Sequence, residues 1–476
     1  MYVIVPRRAT SVSASVFVGS FCDREPPLET LELGVARLAV DREEPSQRVI
    51  IPVSRWQTLS GGDAAPIFCT DVALAGLQAN ARYVVRLFDR RGKRLAEGAL
   101  QTLPSQLPGG GSGTTRPFTL WASSCFHWKS ADERLEALVE QVLADPRYRP
   151  HLNVLLGDQV YLDYPQWRRF LAWGEADLKG NFNESYARTW TQPAFRRLLS
   201  STASVFLSDD HEFWNNHPNP PLSAWSWIRS GRFWEMWRRL ALERFEAIQG
   251  RRHIEQITLV KRVAGEDRPA LKLFFADTGI DRGVAGNFMS DENMATLTRW
   301  LEQLECPGVL ALGQPLHTDR GSRWSRKLPG FAQFEHALVP ALEKAPHDVV
   351  VIAGDAHFGR IATWRKPAGS RVIEVISSPL ALVSSLAGGA ASAGPQRFGT
   401  GRVVSDADSP EPARDVDYVK MMPDHALRRS KRVTEEHGLT LSFMQADEGE
   451  VHLEVRAWFP RANASARPWS WSTRLT

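Results

Sequence analysis

Four short polar clusters in this sequence carry side chains that bind metal ions and transfer protons. The densest is 209–216, Asp-Asp-His-Glu-Phe-Trp-Asn-Asn. The others are Ser-Cys-Phe-His at 124–127, Gly-Asp-Gln-Val-Tyr at 157–161 and Gly-Asp-Ala-His at 354–357. Carboxylates and amide oxygens suit hard cations, whereas a thiolate and a phenolate suit a more polarising ion such as ferric iron. Together they predict a metal site.

Each cluster directly follows a short apolar run that reads as a buried strand. In open α/β sheets, ligands bind beyond the carboxyl ends of such strands. A glycine before Asp158 and another before Asp355 permit a sharp exit from the strand. If the four strands are neighbours in one sheet, we expect the four clusters to converge at one edge.

Two metal ions held about 3.5–4 Å apart can clamp a phosphoryl group and ionise the attacking water. Such a pair needs a carboxylate that bridges both ions. Asp158 is the best candidate for that carboxylate.

The elements that position these clusters begin only in the second quarter of the chain. Residues 1–108 are predicted to be all-β, with short strands and frequent turns typical of a small β-sandwich domain. The Gly/Ser-rich stretch 109–115 is predicted to be a linker. From 116 to 476, strands alternate with helices, which indicates an α/β catalytic domain. A capping box at 130–133 is predicted to open the first helix.

Composition excludes several classes of protein. The 476 residues are 43% hydrophobic and 24% charged, which is ordinary for a globular protein. A net charge of +4, from 58 basic and 54 acidic residues, predicts no nucleic-acid partner. Four cysteines do not make a disulfide framework, and no apolar run approaches the roughly 20 residues of a membrane helix. Because no signal peptide is evident, we expect a cytoplasmic location.

The ordered clusters resemble the alkaline phosphatase D (PhoD-like) branch of the calcineurin-like metallophosphoesterases. The resemblance spans about residues 116–380, and the Asp-Asp-His-Glu run is its most specific motif. Weaker similarities are Ala-Asp-Thr at 276–278, Leu-Gly-Gln-Pro at 312–315 and Ser-Ser-Pro at 377–379. The resemblance implies a four-layer α-β-β-α sandwich, preceded by the small all-β domain.

It also implies two or more metal ions, ferric iron plus calcium or another divalent ion such as manganese or zinc. Which ligand binds which ion stays open. The implied metal ligands fall into an iron-like set, a second set and a closing pair: Cys125, Asp158 and Tyr161; Asp210 and Asn216; Asp355 and His357.

His211 matches the histidine that in this superfamily faces the substrate and protonates the leaving oxygen. Its neighbour Asp209 is expected to orient it. Two departures from the family pattern concern Cys125, which follows an extra serine, and the arginine that often follows Asp-Thr. Gly279 stands in that arginine's place, and Arg282 is the nearest replacement.

The leading hypothesis is hydrolysis of a small phosphate ester, monoester or diester, by metal-bound hydroxide. The alternative is a degenerate protein of the same fold that binds metal and phosphate without turnover. Oligomeric state and the physiological substrate stay open.

Overall fold

The computed structural model describes most of the chain. Not described are residues 24, 28, 40–41, 110–115, 165–173, 220–230, 251–253, 264, 284–285, 319–320, 323–324, 382–415, 422–435, 447–449 and 463–467.

The described strands are, in chain order, β1 (Tyr2–Arg7), β2 (Ser13–Ser20), β3 (Leu31–Leu38), β4 (Glu43–Ile51), β5 (Gln57–Leu59), β6 (Ile67–Ala75), β7 (Arg82–Phe88), β8 (Arg94–Gln101), β9 (Phe118–Ser123), β10 (Leu152–Leu156), β11 (Ala203–Leu207), β12 (Ile254–Val263), β13 (Glu266–Ala276), β14 (Gly308–Ala311), β15 (Gly321–Ser322), β16 (Ser325–Arg326), β17 (Val349–Ala353), β18 (Arg360–Arg365), β19 (Arg371–Ile376), β20 (Val416–Lys420), β21 (Gly438–Gln445), β22 (Val451–Trp458) and β23 (Trp469–Leu475). The described α-helices are α1 (Glu133–Ala144), α2 (Glu175–Trp190), α3 (Pro193–Leu199), α4 (Gly231–Arg244), α5 (Asp291–Glu302) and α6 (Val339–Lys344). Short 3₁₀ turns lie at Val53–Arg55 and Leu328–Gly330, and π-helical turns at Phe245–Gln249 and Phe334–Leu338.

Two large sheets dominate the architecture. A ten-stranded sheet has the order β23-β22-β21-β9-β10-β11-β1-β2-β6-β5, and a seven-stranded sheet has the order β12-β13-β14-β17-β19-β18-β20. A four-stranded sheet, β4-β3-β7-β8, and the hairpin β15-β16 are separate. The predicted mixed α/β class is therefore confirmed, whereas the exact four-layer order stays a prediction.

The strands that end at the polar clusters run parallel at the centre of each sheet. β9, β10 and β11 are parallel neighbours, as are β13, β14, β17 and β19. β17 reads Val-Val-Val-Ile-Ala with every residue buried, the continuous apolar run expected of a parallel strand covered on both faces. Parallel pairing brings the carboxyl ends of these strands to a common edge of each sheet.

Alternating side chains of these strands pack into different apolar clusters. Val154 of β10 and Val350 of β17 belong to one cluster that both large sheets share. Leu155 of β10 packs instead with α1 and α4, and Val351 of β17 packs with α5 and α6. The alternation follows from the two-residue period of a strand.

Helix α1 buries one apolar face against the ten-stranded sheet. Its N-cap is Asp132, whose carboxylate accepts hydrogen bonds from the backbone N–H groups of Arg134 (3.1 Å) and Leu135 (3.4 Å). The predicted capping box at 130–133 would have made Ser130 the N-cap, two residues before the observed one. Aspartate is as good an N-cap as serine, and Asp132 accepts the free N–H groups of the first turn.

Residues 1–108 are strands and turns, as predicted, but they are joined to the rest of the chain through the main sheet. β1 pairs in parallel with β11, with Arg7 opposite Ser204, and β2, β6 and β5 extend the same sheet. The predicted division into a small β-sandwich at 1–108 and a catalytic domain at 116–476 stays a prediction. The predicted linker at 109–115 lies, apart from Gly109, outside the described residues.

None of the described helices combines the length and the apolar character needed to cross a membrane.

Gly438 of β21 lets that strand pass directly against a tryptophan of β9. A Cβ atom added at Gly438 would lie 2.1 Å from Cζ2 of Trp121, which is only 1% exposed. Trp121 cannot move into solvent, so we expect Gly438→Ala to lower the free energy of unfolding by about 1–3 kcal/mol. Urea denaturation measures this loss. Gly231→Ala, where an added Cβ meets nothing within 4 Å, is the control; equal stability of the two variants would contradict the packing.

Candidate metal centre

The polar clusters lie in loops that hold unusual backbone conformations. Five predicted metal ligands have positive φ values although none is glycine; they are Cys125 (54°), Asp158 (58°), Asn216 (63°), Asp355 (59°) and His357 (56°). Such conformations cost about 1–3 kcal/mol each and persist where the surroundings enforce them, often at functional sites. The loops therefore hold these residues against a local energetic preference.

Hydrogen bonds join the loops of the two large sheets beside the predicted ligands. Ser377, after β19, donates from Oγ to the carbonyl of Ala122 in β9 at 2.7 Å. Ser124, after β9, donates from Oγ to the carbonyl of Ser377 at 3.0 Å and accepts the N–H of Leu380 at 2.9 Å through its own carbonyl. The sheet edges are thus fastened to each other at the site.

Four carboxylates converge where the edges meet. Oxygens of Asp158, Asp209, Asp210 and Asp355 lie within 4.8 Å of one another. Oxygens of Asp158 and Asp210 also lie within 4.8 Å of a ring nitrogen of His211 and of each other. Three of these acids come from the ten-stranded sheet and Asp355 comes from the other, so the group spans both sheets.

The raised pKa values of these carboxylates show that a nearby positive charge would favour their ionised forms. Burial raises the pKa of Asp355 to about 8, and the nearby charges of Asp209 and Asp210 act in the same direction. Burial likewise raises the pKa of Asp210 to about 6 and that of Asp158 well above its usual range. Carboxylates placed this closely ionise together only if a cation compensates them.

Cys125 and Tyr161 lie on the Asp158 side of the group. The Sγ atom of Cys125 is 3.5 Å from Oδ2 of Asp158 and accepts a hydrogen bond from Oγ of Ser378 at 3.2 Å. The ring of Tyr161 lies 4.3 Å from that of His211, and its buried hydroxyl has no hydrogen-bond partner within the described part of the chain. Burial raises the pKa of both the thiol and the phenol well above their usual values. A cation would supply the missing partner of the Tyr161 hydroxyl and would stabilise the thiolate form of Cys125.

The residue that orients His211 is Asp163, not Asp209. Oδ1 of Asp163 lies 2.8 Å from Nδ1 of His211, and Oδ2 accepts the backbone N–H of Asn215 at 2.9 Å. Asp209 was expected to orient His211 because it is adjacent in sequence. Its carboxylate instead accepts hydrogen bonds from Nη2 of Arg282 and, at 3.3 Å, from Nε2 of Gln314.

Arg282 therefore reaches the site although it does not directly follow Asp277-Thr278. Its side chain is 1% exposed and forms an ion pair with Asp209, while Nε donates to the carbonyl of Thr278 at 3.2 Å. Burial alone would lower the pKa of Arg282, but Asp209 and Asp210 raise it above its usual value. Arg282 is thus a fixed positive charge at the edge of the acidic group.

Asn216 and His357 lie in the same loops, where the clearest contacts are those of their backbones. The N–H of Asn216 donates to Oδ2 of Asp210, and the N–H of His357 donates to Oγ of Ser378 at 3.1 Å. Ser378 also donates to Sγ of Cys125, so one serine hydroxyl links the loops of His357 and Cys125. Their predicted role as ligands stays a prediction.

Glu212 ties two of the loops together. Oε2 accepts the N–H groups of Asp158 and Asp209, both at 2.9 Å, and Oε1 accepts those of Gln159 (2.7 Å) and Val160 (3.3 Å). The side chain is fully buried, and burial raises its pKa to about 7 despite these four donors. Its carboxylate therefore positions Asp158 and Asp209 through their backbones.

Sequence reasoning did not find the contacts of Asp163 and Gln314. Asp163 carried a weak signal, since it follows Asp158 by five residues in the same loop. Gln314 follows β14 and belongs to one of the weaker motifs, but only the pairing of β14 with β17 brings it beside Asp355.

We expect Glu212→Gln to loosen the site. The amide would place an NH₂ group against two backbone N–H donors, leaving buried donors unsatisfied at about 1–3 kcal/mol each. Urea denaturation of the variant should show a lower free energy of unfolding. Glu184→Gln, which weakens a partly exposed helical ion pair with Arg188, should change it by less than about 1 kcal/mol. A Glu212→Gln variant as stable as Glu184→Gln would contradict the bracing role.

No protein-family model matches the chain, and no curated protein sequence matches it. Among solved structures, that of PhoD superposes with a TM-score of 0.62 at 14% identity, covering 100% of this chain and 91% of that one. The sensor domain of the anti-sigma factor RsgI4 from Pseudobacteroides cellulosolvens (TM-score 0.15, 10% identity, 22% of this chain, 76% of that one) carries no argument. Nor does β-glucuronidase 2 from Bacteroides uniformis (TM-score 0.25, 8% identity, 100% and 61%). The chain has a PhoD-like fold.

Proposed function

We propose that this protein is a metal-dependent hydrolase of phosphate esters. The observation that carries the proposal is the largely buried group of Asp158, Asp209, Asp210, Asp355 and His211 at the joined edges of a PhoD-like fold. PhoD is 14% identical to this chain, so the likeness supports the fold, and the reaction is inferred from the chemistry of the site. The four-layer order of helices and sheets is part of the same proposal.

The donor set fits metal ions. Arg282 compensates only part of the charge of the clustered carboxylates, whose pKa values are raised, and the Tyr161 hydroxyl lacks a partner in the described structure. We assign Cys125, Asp158 and Tyr161 to a polarising ion such as ferric iron. Asp210, Asn216, Asp355 and His357 would hold calcium or another divalent ion, with Asp158 shared between the two. When bound, such ions acidify water and neutralise charge on a phosphoryl group.

His211 is the proton donor in this proposal. Asp163 fixes its Nδ1, which leaves Nε2 for the leaving oxygen of a small phosphate ester. Burial alone would lower the pKa of His211, but Asp163, Asp210 and Asp158 raise it well above its usual value. This direction favours the protonated ring that a general acid needs before the ester bond breaks.

Arg282 is the candidate for contact with the phosphoryl oxygens. Its guanidinium has five N–H groups, and Asp209 and the Thr278 carbonyl engage two of its nitrogens. The ion pair holds the group in place beside the acidic cluster. Stabilising an oxyanion through such a fixed donor needs little reorganisation.

Metal content and hydrolysis should depend together on Asp158. We expect the purified protein to contain metal by elemental analysis and to hydrolyse a chromogenic phosphate ester. Asp158→Ala should lose at least one ion and most of the activity, because it removes the shared ligand. A ferric–tyrosinate contact would also give a visible absorption band that Tyr161→Phe abolishes.

Asp63→Ala, at an exposed loop position, is the matched control and should keep both properties. An Asp158→Ala variant with unchanged metal content and rate would overturn the proposal. Metal and phosphate binding without hydrolysis across a broad panel of esters would instead favour the catalytically degenerate alternative.

The role of His211 should depend on the leaving group. An alkyl ester needs a proton on its departing oxygen, whereas a p-nitrophenyl ester does not. We expect His211→Asn to lower kcat by about 10²- to 10⁴-fold on an alkyl phosphate and far less on the p-nitrophenyl ester. Asp163→Asn should act in the same direction with a smaller effect.

His336→Asn, at an exposed position, is the control and should affect neither ester. Equal losses of His211→Asn on both esters would show that the histidine does not act as the general acid.

A further inference from the structure

Gln314 joins acids that come from the two large sheets. Its side chain is 5% exposed. Nε2 lies 3.3 Å from Oδ2 of Asp209, after β11, and 3.2 Å from Oδ2 of Asp355, after β17. One amide group thus holds a carboxylate from each sheet.

The backbone around Gln314 is held in place independently of this side chain. Leu312 donates its N–H to the carbonyl of Ile352 at 2.9 Å, and the carbonyl of Gly313 accepts the N–H of Gly354 at 3.1 Å. A Cβ atom at Gly313 would lie 3.0 Å from the carbonyl oxygen of Ser208, so this loop passes close to the one that carries Asp209. The position of Gln314 is therefore set by both neighbouring loops.

The orientation of the amide follows from its partners. Ionised carboxylates only accept hydrogen bonds, so the NH₂ group faces Asp209 and Asp355 and the carbonyl oxygen is left for a different partner. That oxygen, Oε1, is buried and has no hydrogen-bond donor within the described part of the chain. An unsatisfied buried acceptor costs about 1–3 kcal/mol. A ligand that offers positive charge would remove this cost.

We infer that Oε1 of Gln314 is a further ligand of the divalent ion held near Asp355, oriented for this role by Asp209 and Asp355. The inference rests on the proposed function, since it assumes a cation at the acidic group. A neutral amide oxygen beside carboxylates suits a hard cation such as Ca²⁺ or Mn²⁺. Gln314 would thus add affinity for a hard ion without adding a further negative charge.

The test is calorimetric titration of the metal-depleted, full-length protein with Ca²⁺ and with Mn²⁺. Gln314→Leu should weaken binding of the divalent ion by about 10- to 100-fold. Gln314→Glu restores an oxygen ligand but removes the N–H donors. It should bind the ion more tightly than Gln314→Leu if Oε1 is a ligand.

Gln333→Leu is the matched control, because Gln333 is also buried but bonds to the backbone of Phe288 and Met289. It should lose stability without losing metal affinity. Thermal unfolding of every variant in chelator separates a folding defect from a binding defect.

Two results would overturn the inference while leaving the proposed function intact. One is a Gln314→Leu variant that binds both ions as tightly as the wild type. The other is a Gln314→Glu variant that binds no more tightly than Gln314→Leu, which would make the residue a hydrogen-bond donor only. A wild-type protein that binds no metal would instead refute the proposed function itself.

Discussion

The geometry of the site depends on one buried carboxylate, that of Glu212, and on the four backbone N–H groups that it accepts. These donors belong to the loops after β10 and β11, which carry Asp158, Asp209 and Asp210. Without a common acceptor, the N–H groups of both loops would be buried and unpaired, and the positive φ of Asp158 would have no compensation. Glu212 needs no contact with metal or substrate to shape the site.

The convergence of acids at one edge could be predicted from the sequence, whereas the pairing of distant strands could not. Four clusters after apolar runs implied parallel strands with a common edge, and Asp158, Asp210 and Asp355 do lie together. The pairing of β1 with β11 could not be predicted, because it joins residues about 200 positions apart and leaves no local pattern. The partner of His211 was misassigned for a related reason. Adjacency in sequence favoured Asp209, whereas the loop turns the imidazole towards Asp163.

The site draws acids from two sheets, and this division has a physical basis. Asp209 and Asp355 repel each other when ionised, so bringing them together without a compensating group would destabilise the packing of the two sheets. Arg282 and Gln314 offset part of that repulsion through hydrogen bonds to Asp209. The proposed cations would offset the rest of the repulsion between the acids and would therefore also hold the two sheets together. The free energy of metal binding would then contribute to the free energy of folding.

The place of β1 beside β11 bears on how the protein is assembled. The strand that leads to the acidic loop has one neighbour, β10, from the second quarter of the chain and another, β1, from its beginning. A chain lacking its first residues would leave the backbone of β11 unpaired along one side, open to pairing with another molecule. The N-terminal strands thus cover one side of the sheet that bears the site, and we expect their removal to favour self-association.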